Sequence, residues 1–123
     1  MQGQQLSLFD ALRSPPIVVP VQPNGEVIQG DPDEFHFLPH PRLAWHRGEI
    51  ELHQHTDGGW MWSTSAHVGD WGYGYRVGPK WGKFAECRDD ALHYAVEEIV
   101  ARLTGRRDQK AAAEVIAWAR GLQ

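Results

Sequence analysis

Seven of the eight prolines fall between Pro15 and Pro41, and all six tryptophans fall between Trp45 and Trp118. That partition constrains the fold more than any other feature of the chain. Each proline fixes its own φ, removes a backbone donor and pushes the residue before it out of the helical region. No helix grows through Pro15, Pro16, Pro20 and Pro23, and a central strand tolerates them no better. Tryptophan carries the largest apolar area that a small core can bury. The chain therefore reads as a proline-rich tail or strap over residues 1–41, followed by an α+β unit over residues 42–123. Within the strap, Ile17–Val21 fits an edge strand.

A length of 123 residues suits one domain, and a chain of this size buries only about two-thirds of its unfolded surface. Hydrophobic content of 41% with 23% charged residues fits a soluble globular protein. No apolar run approaches a membrane span, and the N-terminus lacks a basic region leading into an apolar stretch. The single cysteine, Cys87, cannot close an internal disulfide, so a reducing cytoplasm is the expected setting. A net charge of −4 argues against nucleic-acid binding driven by bulk charge. The charge is uneven, however. Residues 1–75 hold three basic and nine acidic side chains, and residues 76–123 hold nine basic and seven acidic. The second half either attracts the first or presents a local basic patch.

Glu49–His55 and Trp60–Ala66 flank Thr56-Asp57-Gly58-Gly59 and read as a hairpin, because Asp-Gly tolerates the positive φ of a two-residue turn. With Asp57-Gly58 as that turn, His55 faces Trp60 and His53 faces Trp62. One face then carries Glu51, His53, His55, Trp60, Trp62 and Thr64, and the other Ile50, Leu52, Met61 and Ser63. Tyr73–Val77 reads as a third strand and Gly78-Pro79 as a turn. Phe84–Cys87 adds a short strand or leads into a helix. Ala91, Leu92, Ala95, Val96, Ile99, Val100 and Leu103 recur at helical spacing over Arg88–Leu103. Asp89 and Asp90 suit the first turn of that helix, and Gly105 suits its end. Asp108 caps a second helix running to about Arg120. The expected architecture is α+β: a proline-rich N-terminal tail, a three-stranded antiparallel meander packed by one long helix, and a second C-terminal helix.

The most specific local feature is Gln5-Leu6-Ser7-Leu8-Phe9. It resembles the linear motif with which many bacterial replication and repair proteins bind the sliding clamp of the replicative polymerase. All five positions match, and the resemblance covers those residues alone. It implies that Leu8 and Phe9 fill a deep apolar pocket on the clamp, that Leu6 fills a shallower one, and that Gln5 sets the register through its amide. Burying three such side chains yields about 5 kcal/mol before the cost of ordering the tail. The competing reading is a short amphipathic helix, with Leu6, Phe9 and Leu12 tucked against the chain's own domain.

Other residues carry further candidate chemistry. If the aromatic face of the hairpin lies open, Trp60, Trp62 and Trp81 with Arg76, Lys80 and Lys83 form a candidate nucleic-acid-binding surface that stacks bases. The alternative is that the tryptophans pack in the core. Glu51, His53 and His55 offer two imidazoles and a carboxylate, but no second ligand cluster accompanies them, so neither a metal nor any other cofactor is expected. Ser63, Thr64 and Ser65 lack a nucleophile elbow, and Cys87 precedes a helix N-terminus with His93 directed elsewhere. Enzymatic activity is not expected. Asp57-Gly58-Gly59-Trp60, Gly78-Pro79-Lys80-Trp81-Gly82 and the helix that follows resemble small proteins carried by phages and plasmids. That likeness implies an inhibitor of a host machine, such as a defence complex, acting by steric occupancy.

Overall fold

Two helices lie against one face of a four-stranded antiparallel sheet in the computed structural model, which describes residues 15–22, 25 and 30–123. The strands are β1 (Ile17–Val18), β2 (Glu34–Pro39), β3 (His46–Gln54), β4 (Trp60–Val68), β5 (Trp71–Gly74) and β6 (Lys83–Phe84). The helices are α1 (Arg88–Leu103) and α2 (Gln109–Arg120), and a 3-10 turn, Pro79–Trp81, precedes β6. Strands β2, β3, β4 and β5 are neighbours in that order, while β1 and β6 form a separate antiparallel pair.

The α+β class and both helices agree with the sequence, but the sheet has four strands where three are expected. The additional strand comes from the segment read as a strap: Glu34 pairs with Leu52 and Leu38 with Gly48. Pro32, Pro39 and Pro41 bracket this strand and do not interrupt it. Glu34–Leu38 alternates without a proline, and an edge strand needs its donors on one side only. Pro39 sits where the register shifts and the ladder ends. Farther upstream, Ile17 and Val18 pair with Phe84 and Lys83, and Val19 N–H donates to Gly82 O at 2.7 Å.

The β3–β4 hairpin forms where expected, but its register differs by one residue. Leu52 pairs with Trp62 and His53 with Met61, not His53 with Trp62. The turn explains the difference. His55 N–H donates to Gly59 O at 2.6 Å and Gly58 N–H donates to His55 O at 2.9 Å, so Thr56, Asp57 and Gly58 form a three-residue loop. Only Gly58 needs positive φ, at 94°, and Asp57 Oδ1 accepts from Gly59 N–H at 2.9 Å. This loop, a turn closed by a left-handed glycine, is the next commonest hairpin connection after the two-residue kind. One extra loop residue turns every side chain of one strand over relative to the other. Trp60 and Trp62 therefore share a face with Ile50 and Leu52, and Glu51 and His53 share theirs with Met61 and Ser63.

The apolar face so formed is covered by α1, whose Ala91, Leu92, Ala95, Val96, Ile99 and Leu103 are buried against Ile50, Leu52, Trp62, Ala66 and Val68. Asp89 and Asp90 occupy the first turn of α1, and Asp108 caps α2 by accepting from Ala111 N–H at 3.1 Å. Helix α2 lays Val115 and Trp118 over Gly48; a Cβ there would stand 2.8 Å from Trp118 Cζ3. The strand expected over Tyr73–Val77 lies two residues earlier, as β5, because Gly69-Asp70 makes a tight turn that sets Val68 opposite Trp71. Gly69, at φ 61°, takes the first central position of that turn.

Candidate functional site

Gln5, Leu6, Ser7, Leu8 and Phe9 lie outside the described residues. The chain that follows them is described from Pro15, and residues 15–20 are all exposed. Ile17 and Val18 keep 47% and 67% of their surface although they pair with β6.

The six residues read as a nucleic-acid-binding surface separate into two groups. Trp60 and Trp62 leave the candidate surface, because the hairpin register turns them toward the helices. Trp62 is only 7% exposed and packs 5.6 Å from Tyr94, ring to ring. Trp60 packs against the same core, and its backbone bridges to Ala85 through two bonds of 2.8 Å. Lys80 and Trp81 lie on the 3-10 turn and Lys83 opens β6, whereas Arg76 meets this group through its backbone carbonyl. Trp81 Nε1–H donates to Arg76 O at 2.7 Å, which pins the indole, and Lys80 Nζ lies 4.9 Å from its ring centre. Tyr75 meets Trp81 edge to face, with centroids 5.5 Å apart and planes at 70°.

Tyr75 and Trp81 border a pocket of about 280 Å³ whose lining also includes Tyr73, Lys83, Glu98 and Arg102. A hydrogen-bonded chain runs through its wall. Tyr75 O–H donates to Glu98 Oε2 at 2.6 Å, and Thr64 Oγ1 donates to the same oxygen. With the Thr64 proton so engaged, Tyr73 O–H donates to Thr64 Oγ1 at 2.7 Å. Burial pushes the Tyr73 phenol up to about 12, and the Glu98 charge adds to the shift. Burial, then the Glu98 charge, raises Tyr75 as well. Both phenols therefore act as neutral donors at physiological pH. Arg102 lies 4.5 Å over the Tyr73 ring and Arg106 lies 3.8 Å over the Trp71 ring. The corner thus combines aromatic walls, one fixed carboxylate and a margin of cations.

Tyr73, Tyr75, Glu98 and Arg102 are the members that sequence reasoning missed. The available signal was the i,i+4 spacing of Glu98 and Arg102, which puts both on one side of α1.

The sheet face away from the helices forms a second surface. Phe35 and Phe37, 41% and 47% exposed, stack with centroids 5.5 Å apart, and Phe37 stacks on His46 at 4.3 Å. Trp45 is 53% exposed and lies 6.1 Å from His67. Beside the phenylalanines, Glu49 bonds His46 at 2.8 Å and Ser65 at 3.2 Å. Two carboxylates on this face, Glu49 and Glu51, give it the opposite electrostatic character to the Lys83–Arg102 corner.

Glu51, His53 and His55 do not converge on one point. His53 Nε2 lies 3.2 Å from Glu51 Oε1, whereas His55 turns to Asp57 at 3.0 Å. No group of three metal-ligating side chains gathers among the described residues. Cys87 is exposed at the N-cap of α1, and His93 bonds Gln123 and Glu97. No helix among the described residues is long and apolar enough to cross a membrane. Comparison with protein families, with curated proteins and with solved structures finds no match to this chain.

Proposed function

We propose that this protein is a non-enzymatic accessory or inhibitor that docks on a bacterial sliding clamp through Gln5–Phe9. The observation that carries the proposal is the five-residue match Gln5-Leu6-Ser7-Leu8-Phe9, set ahead of an exposed, extended segment. Five residues lie between Phe9 and Pro15, six Cα–Cα steps with a reach of about 20 Å when extended. That distance lets the peptide seat in a groove while the folded part stands clear of it. Leu8 and Phe9 supply the apolar burial, from which the cost of ordering the tail is subtracted. Replication, repair and a mobile-element protein that occupies the groove against host proteins are all consistent with this chemistry. The test is a pull-down with purified clamp, comparing the full chain with its Leu8→Ala/Phe9→Ala variant. Retention of the wild type and loss of the variant, at unchanged thermal stability, is the expected result. Equal retention of both, or a variant that melts well below the wild type, would count against a docking peptide.

A second reading is a small nucleic-acid-binding module, and one observation favours it. Lys83 and Arg102 line one pocket with Tyr75 and Trp81, and Lys80 Nζ lies 4.9 Å from the Trp81 ring centre, so cations flank stacking surfaces despite the net negative charge. A clamp-bound protein works next to DNA, which makes the two readings compatible.

A further inference from the structure

We infer that the corner between β5, the Pro79–Trp81 turn and α1 is a binding pocket for one guanine base. The inference deepens the nucleic-acid reading and rests on it for the source of the base. Three features argue for a base. First, Tyr75 and Trp81 stand edge to face at 70°, so a flat ring laid on one meets the other with its rim. Both rings are fixed by their own polar tips, Tyr75 O–H on Glu98 and Trp81 Nε1–H on the Arg76 carbonyl. They offer stacking area at little entropic cost. Second, the volume of about 280 Å³ lies near the lower limit for small-molecule sites and admits a single heterocycle. Third, Lys83 and Arg102 line the same pocket and suit a phosphate or sugar oxygen attached to that heterocycle.

The carboxylate decides which base. Glu98 Oε2 already receives Thr64 and Tyr75, and both bonds hold the group in one orientation. A carboxylate accepts and cannot donate. Both lone pairs of Oε2 are thereby used, so Oε1 is left to accept from a ligand, and among the bases guanine alone offers it two adjacent donors, N1–H and N2–H, on its Watson–Crick edge. Thymine and uracil present one donor between two carbonyl oxygens, which the carboxylate repels. Adenine and cytosine present one amino group each beside an acceptor nitrogen. Guanine is therefore the base whose edge a fixed carboxylate reads best.

The test measures binding of the full chain to labelled single-stranded decamers by fluorescence anisotropy, with GMP and UMP as competitors. Three decamers serve as probes: all thymine, thymine with one central guanine, and the same with hypoxanthine in place of guanine. The guanine decamer should bind about tenfold more tightly than the all-thymine one, the size of a good paired contact. Hypoxanthine, which lacks the N2 amino group, should lose most of that preference on the wild-type protein. Glu98→Gln should lose it too, because the amide turns a donor toward guanine's donors. Equal binding of all three decamers, unchanged in Glu98→Gln, would overturn the pocket while leaving the nucleic-acid reading in place. Quenching of the tryptophan fluorescence by GMP and not by UMP, with no decamer binding, would support the pocket, name a free nucleotide as its ligand and remove the nucleic-acid reading. Absence of binding by every probe would overturn both.

Discussion

At the scale of single residues, the polar chain Tyr73–Thr64–Glu98–Tyr75 sets the chemistry of the corner. Two phenols held above their ordinary value bind their protons more tightly in the folded state than in the unfolded one. Their contribution is complete below the unfolded value of 10 and is lost as pH rises toward about 12. Thermal melts across that range should show a steep alkaline loss of stability, and Tyr73→Phe should flatten it. Glu34 behaves in the opposite sense. Burial raises its carboxyl, but hydrogen bonds from Arg88 and His36 outweigh burial and hold it below 4.5. The Arg88 Nε–H bonds, 3.2 and 2.9 Å long, tie β2 to the start of α1. That stability is present above the ordinary carboxyl value and is lost as pH falls through the lowered one. Glu34→Gln should cost about 1 kcal/mol near neutrality and show a smaller drop in Tm on acidification than the wild type. None of these partnerships was legible in the sequence. Thr64, Tyr73, Tyr75 and Glu98 lie on different elements, and only the folded register brings their oxygens together.

At the scale of elements, local signals succeeded where a single side chain decides the geometry. Arg88–Leu103 and the Asp108-capped helix were readable because apolar spacing and capping residues act within a few positions. The hairpin was readable as a hairpin but not in register, because Asp-Gly serves both a two-residue and a three-residue loop. That one-residue difference moved Trp62 from a proposed binding face into the core and Trp60 against it. Strand β2 was hidden by the prolines that border it. Two glycine substitutions separate local strain from steric conflict. Gly58 sits at φ 94° with nothing within 4 Å of an added Cβ, so Gly58→Ala should cost about 1 kcal/mol from backbone strain alone. Gly82, at φ 69°, would in addition drive a Cβ into the Val19 carbonyl. Gly82→Ala should therefore release β1 from β6. Hydrogen exchange at the Val19 amide, bonded to Gly82 O at 2.7 Å, should accelerate well beyond that of the α1 amides.

At the scale of the whole molecule, two surfaces of the folded part differ in chemistry. The Lys83–Arg102 corner is cationic and aromatic, and the Phe35–Phe37 face is aromatic and acidic, so one chain carries surfaces of opposite character. Among the described residues, the helices and the sheet close one core between them, in which Leu38 and Leu122 are the outermost members along the chain. On the proposed docking reading, the Gln5–Phe9 peptide adds recognition and leaves stability to that core. Isothermal titration of purified bacterial sliding clamp with the full chain, run beside the Leu8→Ala/Phe9→Ala variant, measures this division most directly. Micromolar binding by the wild type and a loss of at least about tenfold in the variant, with identical melting curves, is the expected outcome. Equal heats from the two proteins, or no heat from either, would contradict it.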